Sequence, residues 1–461
     1  MARRGRLPSA KASAEASAAP GLNLMDLPGA ILESILLLLS HDEDALVSSS
    51  PVLFRKFTAV SYSRKQTLAM FRWLSGGCRG AQAARLYCTS QKVSIERPLG
   101  LALSMQGACL KKLFFWMADA PIQLTGSWLS SLSRLQRLNV TSRSVLLGSA
   151  CGQLTALREL TVRCGRERPS PDVGKWDAVY WSPNTVIVQP GAIPQGLTSV
   201  SFAFCTLPQL PEALCAASGL EELKLNLCAA SREAEGCQAP LLAPILTRLT
   251  ALEALQLKRL VLEQQDVAQQ LWRLTKLRKL DLTDCCVQPG EQQALCSGLT
   301  CLSCLTALAL AGGVWRGNLQ AKPASLPSVQ MFNALLPPGA GDQPLPVVSA
   351  MPGLQAILVS ASSLLGGSGL LQQLQQLPEL VELIIILPPG GNMRDQVVDG
   401  GARRLVDGIA SLPALQHVLL LFADEEMLQD ACFTSTGDGL TQAGVDSDCV
   451  LFKEAVGELF Y

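Results

Sequence analysis

One phrase constrains this chain more than any other feature: Leu-x-x-Leu-x-x-Leu-x-Leu returns along most of its length. It stands as Leu132, Leu135, Leu138, Val140; as Leu154, Leu157, Leu160, Val162; as Leu249, Leu252, Leu255, Leu257; and as Leu274, Leu277, Leu280, Leu282. It returns as Leu302, Leu305, Leu308, Leu310; as Leu377, Leu380, Leu383, Ile385; and as Leu412, Leu415, Val418, Leu420, with weaker copies centred on Leu113, Val200, Leu223 and Ile357. The phrase changes period in its middle. Leucines three apart suit a turning approach, whereas Leu280 and Leu282, two apart, share one face of a short strand. A unit this small cannot bury its apolar side alone, so neighbours must stack into a solenoid. Between the strands, the segments Val267 to Arg273, Leu370 to Gln376 and Ala402 to Ile409 pair apolar spacing with good helix formers, which predicts helices. The expected fold class is therefore α/β, with parallel strands on the concave face and helices outside.

From about residue 99 to 423 the chain resembles the leucine-rich-repeat family. That family places Asn or Cys five residues after the third leucine, to support the turn after the strand. Cys205, Cys228 and Cys285 stand there, while other repeats carry Arg143, Leu260 or Gly313. Repeat spacing jumps at about 165–192 and 312–348, and both stretches are expected to be inserted loops. The first, rich in proline, carries Trp176, Tyr180 and Trp181 as a contact cluster or as rings packed back on the solenoid.

Ahead of the repeats, Asp26 can cap a helix, Pro28 suits its first turn, and Ile31, Leu32, Ile35, Leu36 and Leu39 leave one broad apolar face. This stretch resembles the start of an F-box. The resemblance implies that Leu27, Pro28, Ile31, Ile35 and Leu39 contact a Skp-type adaptor of a cullin ubiquitin ligase, or form the module's core. The family's later Val-x-x-x-Trp/Phe step corresponds to Leu53 and Phe57, with extra residues around Ser48 to Pro51. The other reading is a helical cap that seals the first repeat. The expected organisation is a tail or targeting segment at 1–20, a helical F-box-like module at 21–67, a linker or capping region at 68–98, repeats at 99–423, and an acidic cap or tail at 424–461.

With 48% apolar and 16% charged residues the chain is expected to fold. Its net charge is zero, yet residues 55–112 carry many Lys and Arg against Glu96 alone, and the chain beyond Asp424 is acidic. No stretch reaches the ~18 to 20 apolar residues of a membrane-spanning helix, and the start lacks the apolar segment of a secretory signal. The 16 cysteines are accordingly expected to be reduced. An intracellular location follows, cytoplasmic or nuclear, with cytoskeletal or axonemal sites as the alternative, or an organelle if residues 1–20 are a transit peptide.

Chemistry finds little to work with. There are two histidines, His41 and His417, and neither a phosphate-binding loop nor a nucleophile elbow; Cys301 and Cys304 lack a second pair for zinc. No catalytic set, cofactor or metal is expected, and Phe71, Arg72 and Trp73 give only a weak nucleic-acid signature. The residues flanking the strand leucines are the expected readers of a protein partner. Early strands offer Arg137, Asn139, Glu159, Arg163, Glu222, Lys224, Asn226, Lys279 and Asp281. Late ones offer Leu358, Ile384, Ile386, Leu419 and Leu421, an apolar patch that a partner covers or the acidic tail, with Val450-Leu-Phe, folds back upon. The function expected is a non-catalytic substrate receptor of a Skp–cullin–F-box type ligase, the alternative a repeat scaffold without a ubiquitin role.

Overall fold

The computed structural model describes residues 56–61, 71, 74–75, 81–88, 96–105, 107, 109–117, 121–164, 185–207, 213–229, 242–260, 262, 267–287, 289–310, 325–334, 347–365, 368–387, 402–422 and 450–454. The leucine phrase folds as its change of period requires. Among the described residues fifteen strands make one wholly parallel sheet, in chain order. They are β1 (Lys56–Ser61), β2 (Ala83–Cys88), β3 (Lys112–Met117), β5 (Arg137–Ser142), β7 (Glu159–Cys164), β9 (Ser199–Thr206), β10 (Glu222–Ala229), β11 (Ala254–Lys258), β12 (Lys279–Asp281), β13 (Ala307–Ala309), β14 (Met331–Asn333), β15 (Ala356–Ser360), β16 (Glu382–Leu387), β17 (His417–Phe422) and β18 (Val450–Glu454). The remaining strands, β4 (Ile122–Leu124), β6 (Val145–Leu147) and β8 (Val186–Val188), form a second parallel sheet in that order.

Register is repeated unit by unit. Leu138, Leu160, Val200, Leu223, Leu255, Leu280 and Leu308 are successive partners across the main sheet, so every third leucine of the phrase lies in one row. Each main-sheet strand from β3 to β17 is entered by the same bond, in which two consecutive backbone N–H groups donate to one carbonyl of the preceding unit. Arg278 and Lys279 share Glu253 O, Thr306 and Ala307 share Arg278 O, and Gln416 and His417 share Val381 O. The apolar rows enclose a continuous core from Phe71 to Leu420. This is a solenoid of stacked parallel-strand repeats, which fits the leucine-rich-repeat resemblance.

Four parts of the sequence reading need correction. First, the sheet begins earlier than residue 99: Lys56–Ser61 pairs with Ala83–Cys88, so Phe57, placed above in a helical module, lies in a strand, as does part of the 68–98 linker. Alternation and the β-branched Thr58 and Val60 outweigh the helical reading there. Second, the outer layer is not helical throughout. Beneath β5 and β7 it is made by β4, β6 and β8 with short 3-10 turns at Ser127–Ser131 and Ser149–Gln153. The chain step from Arg137 to Glu159 is shorter than that from Lys279 to Ala307, which accommodates the helix Pro289–Thr300. The helices predicted from Val267, Leu370 and Ala402 are present as Val267–Leu271, Ser368–Gln375 and Ala402–Ala410.

Third, both presumed insertions contain repeat structure. Val186–Val188 completes the outer sheet, and Met331–Asn333 pairs with β13 on one side and β15 on the other. Leu326, Val329, Phe332 and Ala334 are all buried at the spacing of the phrase, and Gln330 and Met331 share Thr306 O at 2.9 and 3.0 Å. A full repeat stands there, with Phe and Ala in leucine positions. Fourth, Val450–Glu454 extends the sheet as an edge strand beside β17, rather than lying across its face. Trp176, Tyr180, Trp181 and Cys228's side chain lie outside what is described.

Candidate functional site

Because side chains alternate across a strand, the core rows leave a second set of rows on the other side of the sheet, here called the open face. All nine polar residues expected to read a partner stand on it, half-buried or exposed, from Arg137 on β5 to Asp281 on β12. They hold one another in place. Arg137 Nη2 meets Glu159 Oε1 at 2.7 Å across neighbouring strands, and Lys224 Nζ meets Glu222 Oε1 at 2.8 Å. Ser199 Oγ donates to Glu222 Oε2 at 2.6 Å. Gln256 Nε2 donates to Asp281 Oδ2 at 2.8 Å, with Lys258 Nζ at 3.2 Å from the same oxygen, while Thr283 N and Oγ1 donate to Oδ1. Burial pushes the Glu222 carboxyl up, but the hydrogen bonds from Lys224 and Ser199 and the charges of Lys224 and Lys279 carry it below its ordinary value.

The late apolar residues divide. Leu358, Ile384 and Leu419 are register partners in one row and are half-buried. Ile386 and Leu421, one row over, are 3% and 1% exposed, which corrects the reading of all five as an exposed patch. Burial depends on what covers a row, and alternation along a strand carries no information about that. Met331, at the edge of this region, is 55% exposed.

A cluster that the sequence reading passed over lies at the other end. Tyr87 on β2 and Phe114 and Trp116 on β3 occupy open-face positions, their rings 5.2 Å (Tyr87–Phe114) and 6.2 Å (Tyr87–Trp116) apart. The signal was present as alternation in Lys112-Leu-Phe-Phe-Trp-Met, where the first and third aromatic residues, Phe114 and Trp116, look away from the core.

The turn after the strand is a structural device. Cys285 is fully buried and its thiol donates to Leu257 O of the preceding unit at 3.0 Å, which is the supporting role expected of that position. Burial pushes this thiol up to about 12, so it stays protonated and able to donate. Just before this position, Phe204, Arg259 and Asp284 all have left-handed backbone, with φ of 59°, 55° and 58°. Three repeats thus turn through the same conformation, one that costs a non-glycine residue energy.

Leu27, Pro28, Ile31, Ile35 and Leu39 lie outside the described residues, so the adaptor-contact assignment has no structural counterpart. Cys301 and Cys304 lie exposed in the turn leading to β13. Among the described residues no group of His, Cys, Asp or Glu is arranged to hold a metal ion, and no helix is long and apolar enough to cross a membrane.

No family model matches the chain, and no curated protein matches it in sequence. Solved structures are similar at low identity. An internalin of Listeria monocytogenes is 12% identical, over 84% of this chain and 94% of its own, with a TM-score of 0.35. A leucine-rich-repeat protein of Leptospira interrogans is 13% identical over 88% and 98%, with a TM-score of 0.36. The mouse RP105/MD-1 complex is 11% identical over 87% and 70%, with a TM-score of 0.37. The assignment of the architecture therefore rests on the chain's own repeat and strand register.

Proposed function

We propose that this chain is a non-catalytic protein-binding protein that reads its partner with the open face of the sheet. The observation that carries this reading is a polar surface held rigid from both sides. Its backbone is fixed by the core beneath; Glu222, Lys258 and Asp281 are tied to neighbours on adjoining strands, and Lys224 to Glu222 on its own strand. Such preorganisation lowers the ordering cost of binding and favours directed hydrogen bonds and ion pairs with a protein. Proteins captured by the full chain should be lost from a Lys224→Glu, Lys279→Glu variant that keeps its unfolding temperature. An unchanged set of captured proteins would put the binding surface elsewhere.

The finer reading is a substrate receptor of a Skp–cullin–F-box type ubiquitin ligase, acting inside the cell. It rests on Leu27, Pro28, Ile31, Ile35 and Leu39 alone. Among the described residues the sheet starts at Lys56, so Phe57 stands in a strand and not in a helical module of this kind. A purified Skp-type adaptor should be retained by the full chain and lost from a folded Ile35→Asp variant. Retention by neither leaves the scaffold reading, in which this segment caps the first repeat.

A further inference from the structure

The open face changes chemistry along its length, and its first strands differ from the rest in two ways at once. They carry the aromatic group Tyr87, Phe114 and Trp116, whose tilted rings make a continuous apolar shelf on a polar face. Cations flank it: Arg85 is exposed and in register with Phe114, and Lys112 is exposed on the same strand as Phe114. The nearest carboxylate on this part of the face, Glu159, is already engaged by Arg137.

We propose that this end of the open face is the docking platform for an acidic polypeptide segment of a partner protein, one that also carries aromatic side chains. The segment's rings lie on the Trp116–Tyr87–Phe114 shelf, and its carboxylates meet Arg85 and Lys112. Charge complementarity selects the sign of the partner, and the shelf selects its side chains. Aromatic and cationic residues together also suit single-stranded nucleic acid. A phosphodiester strand, however, needs an unbroken positive track, and the next positions of this face bring in Glu159 and then Glu222. The discrete carboxylates of a polypeptide tolerate that interruption.

This inference rests on the reading of the open face as a protein-binding surface. The test uses the full chain and three labelled probes, a random copolymer of glutamate and tyrosine, polyglutamate, and oligothymidylate, with binding followed by anisotropy at two salt concentrations. The glutamate–tyrosine copolymer should bind most tightly, and its affinity should fall at least tenfold in Trp116→Ala and in Arg85→Glu. The latter changes an exposed side chain and leaves the core untouched. Lys276→Ala, at an exposed residue in the turn before β12 and off the open face, should leave that affinity unchanged. Tighter binding of oligothymidylate, weakened by the same variants, would overturn the proposal in favour of nucleic acid. Copolymer binding that is lost in the Lys224→Glu, Lys279→Glu variant and kept in Trp116→Ala and Arg85→Glu would refute the platform while leaving the open-face reading in place. No copolymer binding refutes the platform too, and binding insensitive to every variant removes both.

Discussion

The two sides of the same strands obey different rules. Toward the core, the position of the third leucine is filled by Leu138, Leu160, Val200, Leu223, Leu255, Leu280, Leu308 and Phe332 in successive repeats, all of them buried. One residue along, on the open face, the register runs from Asn139 through Thr161, Ser201, Lys224, Gln256 and Asp281 to Ala309, Asn333, Leu358, Ile384 and Leu419. The first row hardly varies and the second varies in every property. Stacking demands one shape and polarity from each unit's core side, whereas nothing in the fold restricts the other side, which is free to be specialised for a partner.

The sharpest way to break this comparison is at the repeat that the sequence hid. Phe332→Ala should destabilise the chain by about 3–5 kcal/mol, as an emptied core site does. Met331→Ala, one residue away on the open face, should shift stability by no more than ~0.5 kcal/mol. Denaturant unfolding of the two variants side by side decides it; equal effects would mean that 325–334 is not a load-sharing repeat.

The outer layer offers the next test. A Cβ on Gly152 would collide with the carbonyl of Gly191, where the turns of two successive units approach each other. Gly152→Ala should cost about 1–3 kcal/mol by overpacking, read as a lowered unfolding midpoint.

A third test uses pH. The Cys285 thiol has an ordinary value of 9.0 and a folded value of about 12, so the unfolded chain releases this proton first. Its contribution to stability is complete below 9.0 and is lost as pH rises from there to about 12. Stability of Cys285→Ala should therefore fall less steeply than that of the parent over this interval, and parallel curves would show that the thiol is not buried as described. A small effect is expected at the ion pair on the open face: Arg137→Ala, despite its 2.7 Å contact with Glu159, should cost less than ~1 kcal/mol, because both side chains are well exposed.

Where each repeat keeps leucine at its core positions, strand, register and open face were all legible beforehand, including the nine polar residues from Arg137 to Asp281. Legibility failed where the residue type changed but the physical role did not. Leu326, Val329, Phe332 and Ala334 do the work of four leucines, and a search for leucine passes over them amid Gly and Pro. Lys56–Ser61 was missed for a related reason, because a motif expectation drawn from the helix expected before it was carried across a strand. The aromatic shelf was missed because Tyr87 precedes the leucine phrase and Phe114 and Trp116 stand in one of its weaker copies, so that only alternation on paired strands places them on the open face.

By itself the sequence determined the solenoid, since a short apolar repeat has no other way to bury its leucines than against its own neighbours. It also determined which alternate positions turn outward, a matter of the two-residue period within each strand. Only the tertiary structure decided where the sheet starts, how its outer layer is built and which outward residues stay accessible. Ile384 and Ile386 show why: they are equivalent in the pattern of one strand, yet the second is buried and the first is not fully so. Accessibility depends on what the rest of the chain brings alongside, and that is a property of the assembled molecule.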